Sequence, residues 1–229
     1  MTWFSSLFQA RCAQCHTQLA SSHGLCATCR ADFPLFDLET WPNLLHCPEV
    51  TKQVALPHCD GLFSCGYYEH DLAKWLRAFK FEQQTQCRWP IQDLLSIQLN
   101  TWAQHVDIPR FDCVFAIPLH PFRFWHRGYN QTTQLWKNRF PISTTSAALC
   151  RSQYTKTQTR LGKLARKQNM KHAFTLKGNI EGKYVAIIDD VVTTGATLDS
   201  AAQVCLEAGA KSVWGMSIAL TPHHARYRL

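Results

Sequence analysis

Asp189 and Asp190 are the residues of this chain best placed to do chemistry. They are two adjacent carboxylates preceded by the apolar run Val185-Ala186-Ile187-Ile188 and followed by Val191-Val192-Thr193-Thr194-Gly195-Ala196-Thr197. A continuous apolar run is the pattern of a strand buried on both faces of a parallel sheet, and ligands in open α/β sheets sit at the carboxyl ends of such strands. Thr193, Thr194, Gly195, Ala196 and Thr197 offer three hydroxyls and a run of backbone N–H groups, around a glycine that lets a ligand approach closely. Apolar residues then recur at helical spacing (Leu198, Ala201, Ala202, Cys205), so the turn opens a helix and suits a phosphate. Carboxylates repel phosphate, so Asp189 and Asp190 suit the hydroxyls of a sugar. Together the residues read as a site for a phosphorylated sugar.

Four cysteines form a second constellation. Cys12-Ala13-Gln14-Cys15 and Cys26-Ala27-Thr28-Cys29 place two thiolates on each of two tight knuckles, and four thiolates complete a tetrahedral zinc site with no open position. Such a site is structural. His16 and His23 lie between the knuckles and read as peripheral. His46-Cys47 and His58-Cys59 offer a weaker candidate second site, with Cys47 and Cys59 as its thiols. Cys65, Cys87, Cys113, Cys150 and Cys205 fall on apolar patterns and read as core thiols.

The elements that must hold these groups follow from periodicity. Residues 1–60 carry little periodicity, six of the eleven Cys, four of the eleven His, and Pro34, Pro42, Pro48 and Pro57; they read as a zinc-binding module with a loose continuation. Residues 61–229 read as the main domain. There Phe63, Cys65 and Tyr67 alternate as in a strand, and Leu72, Trp75, Leu76 and Phe79 recur as in a helix. A second helix is expected from Ile91 toward Gln104, with Pro90 in its first turn. A core strand is expected over Asp112–Leu119, a helix start at Asn130 or Thr132-Thr133, and a strand near Ser146–Cys150. Beyond the acidic doublet the sequence predicts a helix over Leu198–Ala208 closed by Gly209, then a strand over Ser212–Leu220. Strands alternating with helices imply a mostly parallel α/β sheet.

Charge is distributed unevenly. From Cys113 to Ile180 there is no Asp or Glu, while Lys and Arg contribute +12 of a chain whose net charge is +8. A segment this one-sided matches an anionic partner, whether pyrophosphate or a nucleic acid backbone. Arg160, Lys163, Arg166 and Lys167 are its nucleic-acid candidates. Phe122, Phe124, Trp125 and Tyr129 interleave with Arg123, His126 and Arg127, a mixture that stacks bases in single-strand binding and equally serves packing. The apolar start Met1–Phe8 is too short for a signal peptide, and no stretch approaches a membrane span. The expected location is cytoplasmic.

The thirteen residues from Val185 to Thr197 resemble the phosphoribosyl pyrophosphate (PRPP) motif of type I phosphoribosyltransferases. In order along the chain, five blocks together resemble the ComF family of competence-associated proteins: the cysteine knuckles, Leu76-Arg77-Ala78-Phe79-Lys80-Phe81, Arg127-Gly128-Tyr129-Asn130-Gln131, the set Gln158, Leu164, Arg166, Asn169 and Ala173-Phe174, and the PRPP-like run. Family members often carry a second pair of CxxC motifs, where this chain has only Cys47 and Cys59. The resemblance implies a type I phosphoribosyltransferase-like parallel sheet flanked by helices, with a small amino-terminal zinc-binding module of four cysteines. It also implies a role in DNA uptake on incoming single-stranded DNA, alongside DNA-uptake proteins. If the site turns over, PRPP would bind with Mg²⁺, its 5′-phosphate on Thr193–Thr197, its ribose on Asp189 and Asp190, and its pyrophosphate near Arg123 and Arg127. No residue is nominated as catalytic, because no acceptor signature is present. A metabolic phosphoribosyltransferase of nucleotide salvage and a PRPP-sensing regulator are the competing readings.

Overall fold

The computed structural model describes residues 10–19, 24–118, 130–139, 147–151 and 173–222. Four strands form a parallel sheet in the order β1, β7, β5, β2, namely Gly61–Tyr67, Ser212–Leu220, Tyr184–Ile188 and Cys113–Ala116. A short β6 (Val191–Val192) extends β5 along the same neighbour. A separate antiparallel pair joins β3 (Ala148–Arg151) to β4 (Phe174–Lys177). This is the mixed α/β fold with a mostly parallel sheet that the alternating pattern predicts.

β5 is apolar throughout because both its edges and both its faces are covered, and Val185, Ala186, Ile187 and Ile188 are all fully buried. β1 departs from the alternation read in its sequence: Gly61 through Gly66 are all buried. Its two faces each meet apolar partners. Phe63 packs edge-on against Trp102 at 5.1 Å and Trp136 at 6.2 Å, while on β7 a Cβ at Gly215 would come 3.0 Å from Leu198 and 3.5 Å from Leu62. Ser64 and Ser217 are tolerated in this core because their hydroxyls bond each other at 3.0 Å.

Helix α3 (His70–Phe81) buries Leu72, Trp75, Leu76 and Phe79, the stripe read from the sequence. Helix α4 (Arg88–Trp102) starts three residues before the expected Ile91, with Pro90 in its first turn where a missing N–H costs nothing. Asn130 caps helix α5 (Gln131–Trp136) by accepting from Thr132 N at 3.0 Å. Helix α6 (Ala196–Glu207) and β7 fall where expected. Among the core thiols, Cys65, Cys113 and Cys205 are fully buried, whereas Cys87 and Cys150 are half-buried.

The continuation after the knuckles is packed rather than loose. It holds the short helices α1 (Ala27–Ala31) and α2 (Pro48–Thr51) and buries Phe33, Leu38, Leu44, Val50, Val54 and Leu56 in the same core as the sheet. Asn43 ties it to β1 by donating to Asp60 O and accepting from Leu62 N. Irregular spacing hides this burial from a periodicity argument, since the buried side chains are spread over short helical turns, such as those holding Leu44 and Val50, and the segments between them.

Candidate functional site

At the carboxyl end of β5 the chain leaves the regular ladder for two residues, Asp189 and Asp190, and rejoins it at β6. The register with β7 is continuous across them, with Ile188 opposite Met216 and Val191 opposite Ala219. Backbone bonds hold the step in place. Asp189 N donates to Met216 O at 2.8 Å, and Asp190 O accepts from Ile218 N and Ala219 N at 3.2 Å each. From α5 the buried Trp136 donates its indole N–H to Asp189 O at 3.1 Å.

Both carboxylates are used locally as well. Asp189 Oδ1 accepts from Asp190 N at 2.8 Å, and Asp190 Oδ1 accepts from Val191 N at 2.7 Å. Lys80, in the last turn of α3, brings Nζ to 2.8 Å from that same Asp190 oxygen. Burial, and then the charge of Asp190, push the Asp189 carboxyl up to about 7. A carboxyl so poised gains from any ligand that donates hydrogen bonds to its ionised form.

After β6, Thr193 to Gly195 turn the chain into α6. Gly195 is the N-cap with φ 84°, a left-handed conformation that favours glycine. A Cβ there would lie 2.7 Å from Val54 Cγ1 and 3.0 Å from Ala55 O, so the amino-terminal segment is packed directly beneath the turn. Ala55 N donates to Thr194 O at 3.4 Å. Asp189, Val191, Val192, Thr193, Gly195, Ala196, Thr197 and Leu198 line one shallow recess of about 30 Å³. One carboxylate of the doublet and the hydroxyl turn thus face a common space. A larger cavity of about 530 Å³, between Trp102 and Phe111 at the amino end of β2, is remote from these residues.

Arg123, Arg127, Arg160, Lys163, Arg166 and Lys167, as well as His23, lie outside the described residues. Sequence reading missed Lys80 and the Val54–Ala55 support as parts of this site. Lys80 stands in a family-like block, which was the available signal.

The thiols of Cys12, Cys15, Cys26 and Cys29 all lie within 4.8 Å of one another. The Cys15 and Cys26 sulfurs are 3.7 Å apart, against roughly 3.8 Å for two thiolates on one tetrahedral zinc with 2.3 Å bonds. Their acidities diverge. Hydrogen bonds from the Thr17 side chain and backbone bring Cys15 down to about 6, while burial, then hydrogen bonding with Cys26, pushes Cys29 up. Crowded thiols that resist sharing negative charge are a donor set suited to a cation. Asp93 of α4 anchors the knuckles, accepting from Leu25 N at 2.9 Å and from Arg30 at 2.8 Å. Among the described residues this is the group of metal-binding geometry. Cys47 is instead directed to Glu49, at 3.1 Å.

A parallel sheet that delivers an acidic doublet and a glycine turn at one strand end, with a four-cysteine knuckle appended, defines a type I phosphoribosyltransferase-like α/β protein. No family model matches the chain. It is 29% identical to competence protein F of Haemophilus influenzae over 229 residues, 93% of this chain and 98% of that protein. With the DNA utilization protein YhgH of Escherichia coli (strain K12) it shares 30% identity over 216 residues, 88% of this chain and 93% of the relative. Competence protein ComFC of Streptococcus pneumoniae is 24% identical over 204 residues, 85% of this chain and 86% of its own length. The chain belongs to the ComF family. No helix among the described residues is long and apolar enough to cross a membrane.

Proposed function

We propose that this chain is a competence-associated protein acting in DNA uptake, in the cytoplasm, through a site that binds PRPP or a similar phosphorylated ribose. The observation that carries the reading is the shared recess, in which Asp189 meets the turn from Thr193 to Thr197 at the end of β5. Donors of the turn and the first turn of α6 suit the 5′-phosphate, and the doublet suits the ribose hydroxyls. Mg²⁺ fits this donor set as a counter-ion brought by the pyrophosphate, since it takes few protein carboxylates and keeps water and phosphate oxygens. Zinc fits the four thiols of Cys12, Cys15, Cys26 and Cys29 and would staple the amino-terminal module. The names of the relatives, competence protein and DNA utilization protein, support the DNA-uptake role.

Single-stranded DNA is the proposed macromolecular partner, held on the acid-free basic segment with Arg123 and Arg127 nearer the pyrophosphate. Binding of the purified full chain to single-stranded DNA, titrated with salt and repeated with PRPP and Mg²⁺, tests the whole reading. Salt-sensitive binding that responds to PRPP supports it. Tight PRPP binding without DNA affinity would favour a salvage transferase or a PRPP sensor. Replacing both Asp189 and Asp190 by Asn is expected to abolish thermal stabilisation by PRPP and Mg²⁺ while leaving the fold intact; unchanged stabilisation overturns the site.

A further inference from the structure

Two adjacent carboxylates are a poor start for a site that takes an anion, because each repels phosphate and the other. Among the described residues, the cation paired with the doublet is Lys80. Its side chain is 15% exposed and that of Asp190 14%, so the 2.8 Å pair is largely withdrawn from water. Burying such a pair carries a desolvation cost that the mutual attraction only partly offsets, so its presence is not explained by stability alone. Lys80 and Val191 N both bond Asp190 through Oδ1, which fixes the plane of the carboxylate beside Asp189.

We infer that Lys80 is a positioning residue for the sugar: by pairing with Asp190 Oδ1 it orients that carboxylate toward ribose hydroxyls and offsets one of the doublet's two negative charges. The inference rests on the sugar-phosphate reading of the site and adds a residue from α3 to it. Lys80 acts through Asp190, and the phosphate is left to the turn and α6.

The test uses the full-length protein and two probes, ribose 5-phosphate and inorganic phosphate, with affinity measured by calorimetry. Wild type is expected to bind both; failure to bind ribose 5-phosphate would overturn the proposed function itself. In Lys80→Met, ribose 5-phosphate is expected to weaken about ten-fold or more while inorganic phosphate is unchanged, and Lys80→Arg, which keeps the charge, is expected to recover part of the loss. Equal binding of ribose 5-phosphate by Lys80→Met overturns the role, and so does a parallel loss of both probes, which would make Lys80 a support of the anion site. Should Lys80→Met fail to fold, Asp190→Asn alone is compared with Lys80→Met/Asp190→Asn, in which no unpaired charge is buried. No further loss in the double variant supports action through Asp190. An added loss means that Lys80 touches ligand directly and overturns the inference.

Discussion

His58 and Asp199, 141 residues apart in the chain, meet twice: His58 N donates to Asp199 Oδ1 at 2.9 Å, and the imidazole Nδ1 lies 3.0 Å from Asp199 Oδ2. Asp199 stands in the first turn of α6, where a carboxylate complements the helix dipole and competes with a bound anion. His58 occupies that carboxylate. His58→Ala loses the ring contact and is expected to cost about 1 kcal/mol, and Asp199→Asn, which keeps an acceptor for His58 N and exchanges the ring's carboxylate partner for an amide, about as much or less. Asp199→Ala also orphans His58 N and is expected to cost more. Thermal unfolding that ranked Asp199→Ala no worse than Asp199→Asn would contradict the paired geometry.

Gly195→Ala places a Cβ at a left-handed position and 2.7 Å from Val54 Cγ1. The expected penalty is about 2 kcal/mol, a melting temperature lower by about 4–8 °C for a chain of this size. Inorganic phosphate binding should fall with it, because the turn and its support move together. A Gly195→Ala protein as stable as wild type would mean that the turn is not held against Val54.

Asp189 gives the stability a pH slope. Its carboxyl is raised to about 7 in the folded protein from about 4 in the unfolded chain, so the folded state holds a proton that the unfolded state has lost between those values. Stability is therefore favoured below pH ~4 by this group and decreases as pH rises toward ~7. Asp189→Asn should remove this contribution. Denaturant midpoints of the variant and wild type that run parallel from about pH 4.5 to about pH 7.5, a range spanning most of the interval between those two pKa limits, would refute the buried assignment.

Metal content separates the two cysteine candidates. Cys12→Ser should lose zinc and destabilise the amino terminus, since structural zinc is coupled to local folding. Cys47→Ser, whose thiol faces Glu49, should keep full occupancy. Retention of metal by Cys12→Ser, measured by atomic absorption, contradicts the assignment of the four thiols.

Neutralising Arg160, Lys163, Arg166 and Lys167 should flatten the salt dependence of single-stranded DNA binding, by about 3 in log–log slope if all four meet phosphates. An unchanged slope and affinity would move the DNA surface elsewhere.

What was legible in the sequence was contiguous. Val185 to Thr197 contains the strand, the doublet, the turn and the helix start in one run, so the glycine turn of the candidate site and its place in the sheet follow from reading order alone. The two CxxC knuckles are legible for the same reason. Lys80 was not, because its role depends on α3 delivering its last turn to Asp190, a meeting fixed by packing rather than by spacing. Val54 and His58 were hidden likewise in a proline-punctuated stretch whose apolar residues follow no period. β1 misled because a strand covered on both faces loses the alternation that its Phe63, Cys65 and Tyr67 suggested.

β7 runs beside both β1 and β5 and also carries β6. The ribosome therefore delivers the middle of the sheet last: β1, β5 and β2 emerge without the strand that joins β1 to the others. Until residues 212–220 leave the exit tunnel, β1 and β5 present unpaired edges, the condition in which nascent chains associate wrongly. Closure then depends on pairings of long sequence separation, which fold slowly. A nonsense mutation shortly before Ser212 should accordingly yield a chain handed to chaperones and proteases, with neither the four-cysteine knuckle nor the acidic doublet able to rescue it.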